Sequence, residues 1–71
     1  MSEVKKQFGR RLRRLRRYKD VTQEVMAEKA GLTVLSISNI ERGVHSPSFE
    51  NLERIAQSLD VEIKELFDFD D

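Results

Sequence analysis

The chain contains no cysteine and only one histidine among its 71 residues. Without cysteine, no disulfide can support the fold and no thiolate chemistry is available, which fits a reducing cytoplasm. No apolar run approaches the length of a membrane span or a signal peptide, so we expect a soluble, cytoplasmic protein with no membrane partner. The length predicts one small domain, residues 1–71, with a thin core.

The residues needed to build a catalytic site are also missing. The sequence has no glycine-rich phosphate loop, no pair of inward carboxylates and no second histidine to accompany His45. A lone loop histidine is far more often solvated than a metal ligand, and the tail acids Asp68, Asp70 and Asp71 are not a catalytic pair by default. We therefore predict that the protein is not an enzyme and binds no cofactor, metal or small-molecule ligand.

Charge is distributed unevenly, although the net charge is zero. Residues 1–19 carry nine Lys or Arg and one Glu, whereas residues 50–71 carry eight Asp or Glu against two basic residues. The first segment suits a polyanion, and the second would avoid one. Alternatively, the first segment is simply a solvated basic helix.

Apolar residues recur at helical spacing, and no β-type alternation is present. Helix 1 is predicted over about residues 3–18. Its apolar stripe consists of Val4, Phe8, Leu12 and Leu15. Arg16 falls at the edge of this stripe, where a half-buried guanidinium requires a carboxylate partner. Among the other cations, Lys5, Arg10, Arg11 and Arg14 are candidates to approach phosphate groups of a polyanion. Alternatively, Arg14 and Arg17 pair with acids of the second half of the chain or of a partner subunit.

Residues 22–42, TQEVMAEKAGLTVLSISNIER, predict two short helices joined by a tight turn. Thr22 and Thr33 are good N-caps for these helices. Gly31 and Gly43 are expected to end them, because glycine adopts the left-handed conformation without a steric penalty. The segment therefore predicts a helix-turn-helix.

The second helix of this motif has an inner and an outer side. Ile37 and Ile40 of this second helix face inward. In the first helix, Ala27 is small enough to let the two helices cross closely, and either Val25 or Met26 also faces inward. The outward residues are Val34, Leu35, Ser38 and Asn39. A helix supported from behind, with its front exposed, can enter a DNA major groove.

The C-terminal part predicts two further helices. Ser48 caps the first of them. Its apolar stripe is Phe49, Leu52, Ile55, Ala56 and Leu59. A short fifth helix follows at about residues 63–67, with Leu66 inward. The expected architecture is a compact all-α domain of five short helices.

This part also offers more apolar side chains than a small core needs. The residues expected to stay exposed in a monomer are Val61, Ile63, Phe67 and Phe69. Such a patch commonly forms an interface, so we predict dimerisation through residues 59–69. Alternatively, Ile63 and Phe67 cap the monomer core and Phe69 lies in the tail.

The pattern resembles the lambda-repressor-like helix-turn-helix group, the Cro and Xre type of bacterial and phage regulators. The segments that carry the resemblance are FGRRLRRLR, VTQEVMAEKAGL, TVLSISNIERG and SPSFENLERIAQSLDVEIKELF. It implies a sequence-specific transcriptional regulator that binds a palindromic operator in double-stranded DNA as a homodimer. The short form resembles a restriction-modification controller, a phage repressor or an antitoxin-type repressor.

The resemblance also assigns roles to particular residues. It places base contacts on the outward face of the second motif helix, at Val34, Leu35, Ser38 and Asn39. The residues expected to contact phosphate are Thr22, Gln23, Thr33, Arg42, His45 and Ser46. A helix N-terminus with a side-chain amide suits an anionic oxygen. Alternatively, Gln23 only helps to cap its helix. Arg16 and Glu41 match a structural ion pair of the family.

The chain departs from the family at the first two exposed positions of the recognition helix. Val34 and Leu35 cannot donate to a base edge, but both can contact thymine methyl groups. Ser38 can bond several bases, and Asn39 can hold adenine in a bidentate pair. Alternatively, Val34 and Leu35 form a protein contact, or DNA shape dominates recognition.

A second class of function stays open at this point. An antitoxin would use its acidic, aromatic C-terminus to neutralise a protein partner, with DNA binding secondary. Antitoxins often carry a longer neutralising extension, whereas only about four residues follow the fifth predicted helix.

Overall fold

In a computed structural model that describes residues 2–69, the chain forms four α-helices and a C-terminal 3₁₀ helix. The α-helices are α1 (Ser2–Tyr18), α2 (Gln23–Ala30), α3 (Val34–Glu41) and α4 (Phe49–Leu59), and the 3₁₀ helix is Ile63–Phe67. The predicted all-α class is confirmed. No helix within residues 2–69 is both long and apolar enough to span a membrane.

The fifth predicted helix is a 3₁₀ helix rather than an α-helix. Asp60 adopts a left-handed conformation, with φ of 57°, and ends α4. In the short segment that follows, the Glu65 N–H donates to the Glu62 carbonyl at 3.0 Å. A five-residue segment leaves little room for i→i+4 bonds, so the tighter i→i+3 pattern satisfies its backbone.

Local capping sets the bounds of the helix-turn-helix, as the sequence predicts. The hydroxyl of Thr22 accepts from the Val25 N–H at 3.1 Å at the start of α2. At the start of α3, the hydroxyl of Thr33 accepts from the Ser36 N–H at 3.0 Å. Gly31 and Gly43 have φ of 69° and 77°. The α3 helix ends at Glu41 with Arg42 as its cap, one residue earlier than predicted.

One hydrophobic core joins all five helical segments. Its largest fully buried side chains are Leu12, Met26, Ile37, Ile55 and Leu66. Met26 is the inward residue of α2, whereas Val25 is 39% exposed. The core therefore lies directly behind α3 and holds it from the rear.

Two residues assigned to helical stripes lie outside the core. Val4 is 60% exposed and Phe49 is 88% exposed. Both occupy the first turn of their helices, and a helical side chain tilts toward the N-terminus, here beyond the end of the core. The buried stripes begin at Phe8 and Leu52 instead.

Gly9 is the point of closest approach between α1 and α3. A Cβ at this buried position would lie 2.5 Å from the carbonyl oxygen of Ile40 and 2.6 Å from that of Glu41. Real Cβ atoms do not approach backbone oxygens so closely, so any larger residue must separate the two helices. Gly9 therefore sets the position of the end of α3 relative to α1.

Arg11 connects α1 to the C-terminal 3₁₀ helix. It is 8% exposed, and its Nε donates to the carbonyl oxygen of Glu65 at 2.9 Å. The expectation that Arg11 approaches a phosphate group is wrong, because this guanidinium is buried against the far end of the fold. It holds that end in place.

Candidate nucleic-acid interface

The four predicted base-contacting residues lie on one side of α3. Leu35 is 67% exposed and Val34 is 38% exposed, while Ser38 and Asn39 are half-buried. Spacings of one, four and five residues place these side chains on one face of a helix. Ile37 and Ile40 on the opposite face are buried, so the outer face is free to meet a partner.

Arg42 orients the Asn39 side chain. The Arg42 Nη2 donates to Asn39 Oδ1, and both residues lie near the end of α3. An amide oxygen can accept two hydrogen bonds, and the amide nitrogen still has two N–H groups. Asn39 can therefore keep its bond to Arg42 while it presents both a donor and an acceptor to a base.

A buried ion pair fastens the end of α3 to α1. The Arg16 Nε donates to Glu41 Oε2 at 2.6 Å, and its Nη2 donates to Oε1 at 3.1 Å. The side chains are only 11% and 3% exposed. The hydrogen bond with Glu41 raises the pKa of Arg16 above its ordinary value, against the opposing effect of burial. The ion pair expected between these residues is thus formed.

Gln23 extends this ion pair to α2, which sequence reasoning missed. Its Nε2 donates to Glu41 Oε1 at 3.0 Å. The two residues are 18 positions apart, and no local pattern indicates that they meet. One N–H of the amide group remains for another acceptor, so a phosphate contact by Gln23 stays a prediction.

A basic cavity of about 460 Å³ lies where α1, α2 and α3 meet. We use the name basic cavity for this depression. Its lining consists of Arg13, Arg16 and Arg17 from α1, Thr22, Gln23 and Glu24 from the start of α2, and Ser38, Glu41 and Arg42 from α3 and its cap. The structure thus brings three of the predicted phosphate ligands together, namely Thr22, Gln23 and Arg42. It adds two arginines of α1 that sequence reasoning did not place there.

The other predicted phosphate ligands lie apart from the basic cavity. His45 and Ser46 line a separate depression beside Ile40 and Asn51, and the Thr33 hydroxyl donates to Ser36 Oγ at 3.1 Å. Residues 2–69 contain no group of three His, Cys, Asp or Glu side chains placed to hold a metal ion. The six predicted phosphate ligands therefore occupy at least two places on the surface.

An apolar face lies where the starts of α1 and α4 meet the 3₁₀ helix. We define it by four exposed side chains that border two connected depressions, Val4, Phe49, Ile63 and Phe67. The Phe67 ring is 5.1 Å from that of Phe8 and 6.1 Å from that of Phe69. Val61 and Phe69, which were expected to remain exposed, are partly buried against the core because the 3₁₀ helix folds back onto it.

Comparison with known proteins places this architecture in a family. Residues 7–67 match the family described as helix-turn-helix domain. The chain is 38% identical over 68 residues to the control protein C.MunI of a Mycoplasma species, covering 94% of this chain and 92% of that protein. It is 40% identical over 63 residues to the control protein C.BamHI of Bacillus amyloliquefaciens, covering 87% and 78% respectively.

Solved structures agree with this assignment. The fold is similar to that of the restriction-modification controller protein C.AhdI from Aeromonas hydrophila, with a TM-score of 0.85 and 40% identity over 87% of this chain and 94% of that one. The chain belongs to the helix-turn-helix family of DNA-binding transcriptional regulators. Within that family, its relatives of similar length include control proteins.

Proposed function

We propose that the protein binds a palindromic operator as a homodimer, with α3 of each subunit in the major groove, and regulates a nearby promoter. The observation that carries this proposal is the exposed outer face of α3 beside the basic cavity. The proposed base-reading side chains thus lie beside three of the proposed phosphate ligands, Thr22, Gln23 and Arg42. The similarity to control proteins supports a controller role.

Each residue of this surface has a distinct chemical task. Val34 and Leu35 contact thymine methyl groups, whereas Ser38 and Asn39 form hydrogen bonds with base edges. Thr22, Gln23, Thr33, Arg42, His45 and Ser46 contact the sugar-phosphate backbone, which positions the helix without reading sequence.

Removing the polar base contacts should reduce specificity while leaving non-specific binding intact. For Ser38→Ala with Asn39→Ala, we expect the affinity ratio between a duplex enriched from a random pool and its scrambled counterpart to fall at least about 30-fold, because a good base contact is worth about 1–3 kcal/mol and the dimer loses at least one in each half-site. Fluorescence anisotropy at fixed salt measures both affinities. Gln57→Ala, on the exposed side of α4, is the matched control. An unchanged ratio in the double variant would contradict base reading by α3.

In the proposed homodimer, the second subunit binds the second half-site of the operator. One recognition helix covers only a few base pairs, whereas two related by a dyad read half-sites about 34 Å apart. The apolar face and its neighbours Val61 and Phe69 are the proposed interface, because an exposed apolar patch of this kind commonly marks a subunit contact. Glu50 and Glu53, which line the depression beside Ile63, disfavour DNA phosphate at that part of the interface.

The dimer should be sensitive to one charge at the interface. Ile63→Glu places a carboxylate on the apolar face, and we expect the dimer dissociation constant to rise at least about 30-fold, as for a hot-spot residue worth about 2 kcal/mol. Sedimentation equilibrium measures it. Leu35→Glu is the matched control, since Leu35 is also exposed but lies on α3. Equal dimerisation by wild type and Ile63→Glu would exclude this interface.

A further inference from the structure

Arg13 and Arg17 lie one helical turn apart on α1, and both are exposed. Both line the basic cavity, together with Ser38 and Arg42 at the other side. These two guanidinium groups therefore share a depression with residues of α3 and its cap.

The cavity carries an excess of positive charge. Arg16 and Glu41 in its wall neutralise one another through their ion pair. The remaining charged side chains in the lining are Arg13, Arg17 and Arg42 against Glu24. Three cations facing one carboxylate in a shared depression attract an anion.

Within the part of the chain that the structure describes, the side chains of Arg13 and Arg17 form no ion pair or hydrogen bond. Other arginines of α1 differ from them. Arg10 lies 4.0 Å from a carboxylate oxygen of Glu3 and is not part of the cavity lining, and Arg11 is buried. Arg13 and Arg17 are therefore the cations of α1 that line the basic cavity and have no ion-pair partner among the described residues.

We infer that Arg13 and Arg17 bind a phosphodiester of the DNA backbone in the basic cavity, so that α1 forms one wall of the phosphate clamp. This inference rests on the proposed function, because it assumes that α3 faces DNA. A guanidinium group presents a planar fork of donors that matches two phosphate oxygens. The contact adds affinity and fixes register, and it carries no base information.

The salt dependence of DNA binding tests the inference. Each lost phosphate contact lowers the slope of log K against log salt by about 0.9 for duplex DNA. For Arg13→Gln with Arg17→Gln, we expect a dimer with two half-sites to lose at least about 1.8 from this slope, for the enriched and the scrambled duplex alike. The ratio between the two duplex affinities should not change.

The charge-matched control is Lys29→Gln with Arg54→Gln, which removes two cations that are exposed and outside the cavity lining. Its slope should fall by less than half as much, since a general field effect does not depend on the cavity. Equal losses in the two double variants would overturn the inference and assign the effect to net charge.

Neutral methylphosphonate linkages in the enriched duplex locate the contact. We expect at least one linkage in each half-site whose replacement weakens binding by the wild type but not by the Arg13→Gln, Arg17→Gln variant. Identical methylphosphonate profiles for wild type and variant would overturn the inference. Inorganic phosphate is the second probe: if it shifts the NMR resonances of these arginines at concentrations that leave DNA binding unaltered, the cavity binds a free anion and the DNA assignment is wrong.

The two proposals can fail separately. If the wild type binds the enriched and scrambled duplexes equally, the proposed function fails and the inference falls with it. If the wild type prefers the enriched duplex while its slope and methylphosphonate profile match those of the cavity variant, only the inference fails.

Discussion

Replacing Arg16 by alanine is expected to lower the free energy of unfolding by about 3–5 kcal/mol. The side chain of Glu41 is 3% exposed, and within residues 2–69 only the Gln23 amide still donates to its carboxylate after the substitution. Removing one member of a buried pair leaves an uncompensated charge, which costs far more than the pair contributes. A domain of this size has about 4–11 kcal/mol of stability in all, so the substitution removes a large share of it.

Urea denaturation followed by circular dichroism measures this loss. The matched control is Arg10→Ala, because Arg10 and Glu3 form an exposed pair at 4.0 Å, and exposed pairs contribute at most about 1 kcal/mol. Arg16→Met combined with Glu41→Leu should recover most of the stability, since no buried charge is then left alone. If Arg16→Ala and Arg10→Ala cost the same, the ion pair does not fasten α3.

Gly9→Ala is expected to destabilise the protein by about 1–3 kcal/mol, the range typical of overpacking in a close-packed core. Two effects oppose each other at this position. Alanine favours a helix interior over glycine by about 1 kcal/mol, but its Cβ would lie 2.5 Å from a backbone oxygen of α3. We expect the steric clash to outweigh the helix preference, because the Cβ meets two backbone carbonyl oxygens, those of Ile40 and Glu41. These atoms cannot rotate away, so the clash is relieved only if α1 and α3 move apart.

Gly31→Ala is the control for this prediction. A Cβ there would meet nothing within 4 Å, and the only penalty comes from φ of 69°, which costs about 1–2 kcal/mol for an L-residue. DNA affinity per folded molecule separates the two variants further. Gly9→Ala should weaken it by displacing α3, and Gly31→Ala should leave it unchanged. A neutral or stabilising Gly9→Ala would show that the helices are not held at this distance.

Features that depend on neighbouring residues were predictable from the sequence. Thr22 and Thr33 cap α2 and α3, and Gly31 ends α2 in the left-handed conformation, because caps act within one helical turn. The position of Arg16 at the core edge also followed from helical phasing, since its direction relative to Leu12 is fixed by 3.6 residues per turn.

Features that depend on how helices cross were not predictable. The contact of Gly9 with the end of α3 and the bond from Arg11 to the Glu65 carbonyl join residues that are distant in sequence. Periodicity also shows which face of a helix is apolar, but not how far the core extends along it. For this reason Val4 and Phe49 were wrongly assigned to the core.

The proposal that α3 reads base edges is tested most directly by parallel selection from one random duplex pool, with wild type and with the Ser38→Ala, Asn39→Ala variant. We expect the wild type to enrich a palindrome with half-sites about 34 Å apart and with thymine near each half-site centre, beneath Val34 and Leu35. The variant should enrich sites that have lost the bases contacted by Ser38 and Asn39. If the wild type enriches no sequence, or if both proteins enrich the same one equally, α3 does not read the operator.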